Sequence, residues 1–147
     1  MKKVVRTTTT AHIPKKPIRY LDDKLTSIFQ ALRSILKAYE DKLEVKADRE
    51  FHYELWTNRG YRIKSSRPRS RRGIAFASVI AFKNHIGFYF LPLSSHPTLM
   101  SNAKPELRSF SCGLYTFHFD TLEPIVAKQL EELVNEGWNF YKKKGLV

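Results

Sequence analysis

The chain lacks the features that mark several large protein classes. Its 147 residues include one cysteine, Cys112, so no intramolecular disulfide can form and a reducing, cytoplasmic location is predicted. No run of 18 apolar residues occurs, which argues against a membrane-spanning helix. The N-terminal residues also lack the apolar segment of a signal peptide. We therefore expect a cytoplasmic protein with no membrane partner.

Sequence motifs of catalytic and metal centres are also missing. Neither phosphate-loop pattern, GxxxxGK[ST] or GxGxxG, is present, and there is no GxSxG elbow. The five histidines show no HExxH spacing, although His85 and His118 fall on neighbouring predicted strands. Cys112 has no base near it in sequence and is expected to be a buried structural thiol. These absences favour a non-enzymatic protein with no catalytic residue, metal ligand or cofactor.

Acidic residues are scarce in the first half of the chain, and this asymmetry is the main clue to a partner. Residues 1–72 carry 19 basic and 8 acidic side chains, whereas residues 73–147 carry 7 and 6. The net charge is +12. A charge distribution of this kind indicates an anionic partner, such as nucleic acid or a phosphorylated ligand.

The densest positive charge lies in the sequence RGYRIKSSRPRSRRG, which contains no acid. Its cations are Arg59, Arg62, Lys64, Arg67, Arg69, Arg71 and Arg72. Forked guanidinium groups pair well with phosphate oxygens, so we predict that this basic stretch (residues 59–72) binds anions. The alternative is a solvated loop that keeps the end of a strand soluble and discourages edge pairing.

Two stripes of apolar residues at steps of three and four predict an amphipathic helix near each end of the chain. The first stripe spans residues 21–43, with two aspartates in its first turn. The second follows Asp120 and Glu123, which fit a capping box, with Pro124 in the first turn. It ends in KKKG, where the glycine suits a C-cap.

Between the two helices the apolar period changes to two, which predicts strands. In EFHYELWT (residues 50–57), odd-numbered and even-numbered side chains face opposite ways, and YRIK (61–64) predicts a short second strand. GIAFASVIAFK and NHIGFYFLPL, joined near residues 83–84, predict a hairpin, and GLYTFHF (113–119) predicts a further strand. The segment between them is broken by two prolines and predicts short helical turns.

This order of elements predicts an α+β fold. We expect a single antiparallel β-sheet of about five strands, with the N-terminal and C-terminal helices packed on one face. Residues 1–19 are basic, contain no acid and are interrupted by Pro14 and Pro17, so they predict an extended N-terminal arm. Residues 20–147 are expected to form one domain.

The second half of the chain combines an aromatic strand with a closing amphipathic helix. FASVIAFKNHIGFYFLPL is followed by PELRSFSCGLYTFHFDTLEP and then by a helix ending in GWNFYKKKG. Lys83 and His85 form a Lys-x-His segment before the aromatic strand, and Gly113 begins the later strand. In these features residues 73–142 resemble the YdhG-like family of small domains of unknown function.

The resemblance implies an antiparallel sheet backed by helices, related in outline to frataxin. It also hints at a small-ligand or iron/metal carrier, because one branch of that family has been proposed to be an iron chaperone. Iron prefers carboxylates, whereas the first helix here interleaves its acids with lysines and an arginine, so we assign no metal ligand to it.

The resemblance also suggests a place for a ligand. By their odd parity, Lys83, His85 and Tyr89 would share one face of the aromatic strand. The residues expected opposite them, in the core, are Phe82, Ile86, Phe88 and Phe90. A sheet face of this composition beside the basic stretch could form a cleft for a small anion, or it could simply face solvent.

Two functions therefore remain open from the sequence. The first is a non-enzymatic domain that binds an anionic partner, nucleic acid or a phosphorylated ligand, through the basic stretch. The alternative is a small-ligand or metal carrier that uses the face of Lys83, His85 and Tyr89.

Overall fold

The computed structural model describes residue 18, residues 20–58 and residues 73–147. Most of the predicted N-terminal arm, the strand predicted at residues 61–64 and the whole basic stretch lie outside the described residues. The elements in chain order are α1 (Asp23–Lys37), β1 (Glu44–Arg49), β2 (His52–Trp56), β3 (Ala75–Ala81), β4 (Ile86–Phe90), α2 (Pro92–Ser95), α3 (Pro105–Arg108), β5 (Thr116–Phe119) and α4 (Pro124–Lys143). Short 3-10 turns occupy Glu40–Lys42 and Pro97–Asn102.

The five strands form one antiparallel sheet in the order β1-β2-β3-β4-β5. Each strand pairs with its neighbour in sequence, as consecutive strands commonly do, although only the β1–β2 and β3–β4 connections are short. This confirms the predicted α+β fold with its N-terminal and C-terminal helices. The β3–β4 hairpin and the short helical turns after β4 are confirmed as well.

The main hydrophobic core lies between the two long helices and one face of the sheet, which we call the core face. Helix α1 buries a stripe that includes Phe29, Leu32 and Leu36, and α4 buries its own stripe around Leu130 and Val134. The side chains that the sheet contributes are largely aromatic. They include Tyr53, Phe76, Phe88, Phe90, Phe117 and Phe119, each 0% exposed.

The opposite side of the sheet, which we call the second face, carries a smaller hydrophobic cluster. Ala75, Ile80, Tyr89 and Leu91 are buried there, with Trp56 and Phe82 packed against them. Among the described residues, no side chain of α1 or α4 belongs to this cluster. The second face is therefore built from the sheet and its connections, while the core face is built from the sheet and the helices.

The sequence pattern was wrong at two ends of the long helices. Helix α1 ends at Lys37, so the apolar stripe up to residue 43 overstated its length; the chain continues as a 3-10 turn. The capping box before α4 is also wrong, because Glu123 is the N-cap but its side chain makes no capping hydrogen bond. At α1, by contrast, Asp22 caps the helix by accepting a hydrogen bond from the Leu25 amide at 2.8 Å.

Strand β1 was missed by the sequence reasoning. Its residues, EVKADR, include four charged side chains, and nearly all of the strand is exposed. An edge strand that buries little has no apolar alternation to detect, and its charges discourage pairing with other chains. In the described residues, no helix is both long and apolar enough to span a membrane.

Gly137 lets α4 approach the sheet closely. A methyl group at this position would lie 2.3 Å from the Phe90 ring and 3.0 Å from the Cβ of Pro92. We expect Gly137→Ala to lower the free energy of unfolding by about 1–3 kcal/mol through overpacking. This loss should outweigh the gain of about 1 kcal/mol from the better helix propensity of alanine.

Urea denaturation followed by circular dichroism measures this effect. Gly113→Ala is the control, because its nearest neighbours would be 3.7 Å from the new methyl group. The control should stay within about 0.5 kcal/mol of the wild type. Equal stability of the Gly137→Ala variant and the wild type would contradict the close approach.

Candidate functional site

The basic stretch leaves the fold at one end of the β2–β3 hairpin, where its two described ends are pinned together. The Thr57 amide donates a hydrogen bond to the Ile74 carbonyl at 2.8 Å, and the Ile74 amide donates to the Thr57 hydroxyl at 2.9 Å. Thr57 is 1% exposed. At Gly73, a methyl group would lie 1.8 Å from the Thr57 carbonyl oxygen, so only glycine fits this close crossing. The seven predicted cations therefore lie in a connection whose two ends are joined by hydrogen bonds between Thr57 and Ile74.

The N-terminal arm joins the fold at the opposite end of the sheet. Tyr20 and Leu21 line a cleft of about 210 Å³ together with Phe51, in the turn between β1 and β2. The Phe51 carbonyl accepts a hydrogen bond from the amide of Ala81, at the end of β3. The two basic segments of the sequence thus leave the fold roughly 20 Å apart, the length of a seven-residue strand.

The excess of positive over negative charge comes from residues outside the described part of the chain. Residues 1–17, Arg19 and residues 59–72 together hold 13 basic and no acidic side chains. The described residues hold 13 basic and 14 acidic side chains. The folded part is therefore almost neutral, and the net charge of +12 comes entirely from these two segments.

The structure places two of the three residues predicted for a ligand face, His85 and Tyr89, on the second face. Tyr89 lies on the second face, as predicted, but it is 1% exposed. Lys83 is exposed in the β3–β4 connection. Phe82 belongs to the second face beside Tyr89, so its predicted place in the core is wrong, whereas Phe88 is in the core as expected. Phe82 continues the alternation of β3, in which Ile80 also lies on the second face, so the parity of β4 does not carry across the β3–β4 connection.

His85 lies on the second face with Tyr89 and contacts two rings there. Its imidazole stacks on the Phe82 ring with centroids 4.8 Å apart and lies 4.1 Å from the ring of His118 on β5. The expected approach of His85 to His118 is thus confirmed. Burial lowers the pKa of the His85 imidazole below its ordinary value, and the Asp120 carboxylate opposes this effect more weakly. His85 is therefore neutral at pH 7.

Gly87 allows aromatic side chains to close over this part of β4. A methyl group at residue 87 would lie 2.9 Å from the Tyr89 ring, 3.0 Å from the Tyr89 hydroxyl oxygen and 3.1 Å from the Phe82 ring. Desolvation raises the pKa of the Tyr89 hydroxyl, helped by the charges of Cys112 and Tyr115. Tyr89 is therefore a protonated, buried phenol and not a surface ligand.

A buried polar group on β2 was not assigned from the sequence. The Glu54 carboxylate is 2% exposed and accepts a hydrogen bond from Trp56 Nε1. Its other oxygen lies at hydrogen-bond distance, 2.8 Å, from His52 Nε2. The period of two correctly placed His52, Glu54 and Trp56 on one face. The structure shows that Glu54, on an inner strand of the sheet, is buried, which the alternation by itself does not reveal.

Glu54, Ser78, Tyr89 and Thr116 lie directly opposite one another across β2, β3, β4 and β5. The Ser78 side chain is 0% exposed, and its hydroxyl has no hydrogen-bond partner among the described residues. A buried hydroxyl without a partner costs about 1–3 kcal/mol. The described residues contain no group of three or more His, Cys, Asp or Glu side chains arranged to hold a metal ion.

Cys112 is exposed, so the expectation of a buried thiol is wrong. Its sulfur lies 3.8 Å from the carbonyl oxygen of Thr116, and partial desolvation raises the pKa of the thiol. A raised pKa keeps the thiol protonated at neutral pH, which makes it a poor nucleophile.

Comparison with known proteins gives no relative for this chain: no family model, no curated protein and no solved structure matches it. The resemblance to the YdhG-like family stays a prediction from the sequence pattern.

The buried Ser78 hydroxyl leads to a stability prediction. Ser78→Ala removes a hydroxyl that has no hydrogen-bond partner in the described part of the chain and leaves a slightly smaller methyl group, so the free energy of unfolding should stay the same or rise by about 1 kcal/mol. Thr57→Ala is the contrasting variant, because it deletes a hydroxyl that accepts a hydrogen bond. It should lower stability by about 1 kcal/mol. Thermal unfolding of both proteins measures the difference, and a Ser78→Ala variant less stable than Thr57→Ala would refute it.

The His85 environment leads to a pH prediction. The folded protein holds the pKa of His85 below 6.5, whereas the unfolded chain titrates near 6.5. The unfolded chain therefore binds more protons in this pH range, and the stability that depends on His85 falls as the pH drops below about 6.5.

NMR titration of the His85 ring protons should show the lowered pKa of the imidazole. His85→Gln should flatten the pH dependence of stability between about pH 7 and pH 5, and a His85 ring that titrates above 6.5 would contradict the assignment.

Proposed function

We propose that the protein is a non-enzymatic binding domain for an anionic partner, with nucleic acid as that partner and the basic stretch as the main contact. One observation carries the proposal: all of the excess positive charge lies in two segments that contain no acid, attached to a nearly neutral fold. A protein that needed positive charge only for solubility would not require its separation in this way. Concentrated arginines are suited to phosphate oxygens.

The proposal accounts for the way the two ends of the β2–β3 connection are held together. Thr57, Gly73 and Ile74 fix the points where the basic stretch begins and ends. Both ends of the basic stretch are therefore attached at one end of the sheet. Phosphate contacts of this kind carry no sequence information, so binding without strong sequence preference is expected.

A carrier of a small ligand or a metal on the face of Lys83, His85 and Tyr89 has less support. Tyr89 is a buried phenol, and His85 is held between Phe82 and His118. These positions favour a packing role for both side chains. The charge distribution instead favours a partner with many phosphates.

The test is fluorescence anisotropy with labelled DNA and RNA, single-stranded and double-stranded, across a salt series. If four or five cations displace counterions, log K should fall with log salt at a slope of about −4. Changing Arg67, Arg69, Arg71 and Arg72 to Ser should remove most of this slope and weaken binding by at least tenfold at low salt.

The matched control removes the same charge from another surface. Lys128, Lys142, Lys143 and Lys144 are exposed on or next to α4, and changing all four to Ser leaves the basic stretch intact. This variant should keep most of the wild-type affinity and slope. Equal losses in the two variants would mean that only net charge matters, and no binding by the wild type at about 50 mM salt would refute the proposal.

A further inference from the structure

The cleft between the first half of α1 and the turn that joins β1 to β2 is a separate candidate site, which we call the turn cleft. Its volume is about 210 Å³. Pockets for drug-sized ligands are larger, roughly 300–1,000 Å³. Every residue that lines the turn cleft belongs to the described part of the chain. A cleft of this size suits a group about as large as one amino-acid side chain.

Two aromatic side chains that solvent can reach line the turn cleft. Tyr20 is 76% exposed, and Phe51 is half-buried. The other apolar lining residues, Leu21 and Phe29, are buried in the main core and fix this side of the cleft. A planar or apolar group that enters the cleft therefore meets accessible rings above a rigid apolar base.

The turn between β1 and β2 places a ring and a carboxylate side by side. Arg49 pairs with His52, so Glu50 and Phe51 are the two residues of the turn. Connections of this length favour Asn, Asp and Gly. The Phe51 carbonyl accepts a hydrogen bond from the Ala81 amide at 2.9 Å, which attaches the turn to the end of β3. Glu50 and Phe51 are thus held in position beside α1.

The polar side chains of the turn cleft offer hydrogen-bond acceptors and negative charge. Among the described residues that line it, Glu50 carries the one charged side chain, and both Glu50 and Gln30 are exposed. Within the described part of the chain, neither of these two side chains makes a hydrogen bond or an ion pair. The Thr26 hydroxyl, by contrast, donates to the Leu21 carbonyl at 3.2 Å. A carboxylate and an amide oxygen are therefore available to a ligand.

We infer that the turn cleft binds a guanidinium group, carried by an arginine side chain of a polypeptide or by a free guanidinium compound. The planar guanidinium group stacks on aromatic faces such as those of Tyr20 and Phe51. Its forked N–H groups would donate to the carboxylate of Glu50 and to the amide oxygen of Gln30. An ammonium group is more strongly hydrated and cannot stack in this way, so guanidinium is preferred.

This site is independent of the proposed function. The turn cleft lies at the opposite end of the sheet from Thr57 and Ile74, where the basic stretch is attached. Its ligand also has the opposite charge, because a phosphate group would meet the carboxylate of Glu50. A protein with a net charge of +12 would thus carry a separate site for a cation.

The experiment is an NMR titration of the full chain with two probes of nearly the same shape. N-acetyl-arginine amide carries the guanidinium group, whereas N-acetyl-citrulline amide carries an uncharged urea in its place. The arginine probe should shift the ring protons of Tyr20 and Phe51 and bind with a Kd on the order of 1 mM, because it makes few contacts. The citrulline probe should bind roughly fivefold more weakly.

Two further probes define the ligand. N-acetyl-lysine amide tests the preference for guanidinium and should bind roughly threefold more weakly than the arginine probe. Agmatine is a free guanidinium compound and separates the two sources. Tighter binding of N-acetyl-arginine amide would identify an arginine side chain, and tighter binding of agmatine would identify a free compound. Both results support the inference.

Variants locate the site. Tyr20→Ala and Glu50→Gln should each weaken binding of the arginine probe roughly three- to fivefold. Tyr20→Phe keeps the ring and should retain most of the affinity. Glu131→Gln is the matched control for charge, because Glu131 is exposed on α4 and does not line the turn cleft. Tyr20 and Glu50 are exposed, so these variants should keep the fold, and the unchanged NMR signals of the main core would verify this.

The outcomes decide the inference without affecting the proposed function. Binding that shifts the Tyr20 and Phe51 rings and depends on Tyr20 and Glu50 supports it. Equal affinity for the arginine and citrulline probes overturns it, because the charge would then not be recognised. Equal affinity for the lysine probe overturns the assignment to guanidinium. Equal losses in Glu50→Gln and Glu131→Gln, or no shift of the two rings at about 50 mM arginine probe, also overturn it.

Discussion

A β-bulge opposite the end of β2 is the constraint on which much of the structure depends. Leu55 pairs with Ala77 and Trp56 pairs with Ala75, so Phe76 is the extra residue in β3. Without the bulge, Phe76 would face the same way as Trp56. With it, Phe76 enters the main core and Trp56 stays on the second face with Ala75.

Phe76 then links the sheet to the C-terminal helix. The centroid of its ring lies 5.4 Å from the ring centroid of Phe90, 5.9 Å from that of Trp138 and 5.5 Å from that of Tyr141. The Tyr141 hydroxyl donates a hydrogen bond to the carbonyl oxygen of Ala75, beside the bulge. One inserted residue thus places Phe76 against α4 on the core face and leaves Trp56 on the second face. The side chains at this end of the second face therefore depend on how the core face packs.

The two sides of the sheet differ in what holds them together. On the core face, buried aromatic and aliphatic side chains of the helices and strands pack as a continuous core. On the second face, the apolar cluster is smaller and lies beside the Glu54 carboxylate, with its bonds from Trp56 and His52, and the Ser78 hydroxyl. Burying such groups costs free energy that the core face must offset. Proteins commonly accept this kind of cost at surfaces that bind a partner.

The sequence by itself determined the class of fold and the distribution of charge. The periodicities of α1, α4 and the β3–β4 hairpin are local, so residue spacing was enough to place them, and charge can be counted directly. It could not show that EVKADR pairs as an edge strand, that Phe82 leaves the core, or that Cys112 is exposed. It could also not show that Glu54 is buried or that Trp56 shares a face with the Phe82, His85 and His118 rings. Those facts depend on strand register and on one bulge, which arise from contacts between residues far apart in the chain, and only the tertiary structure decides them.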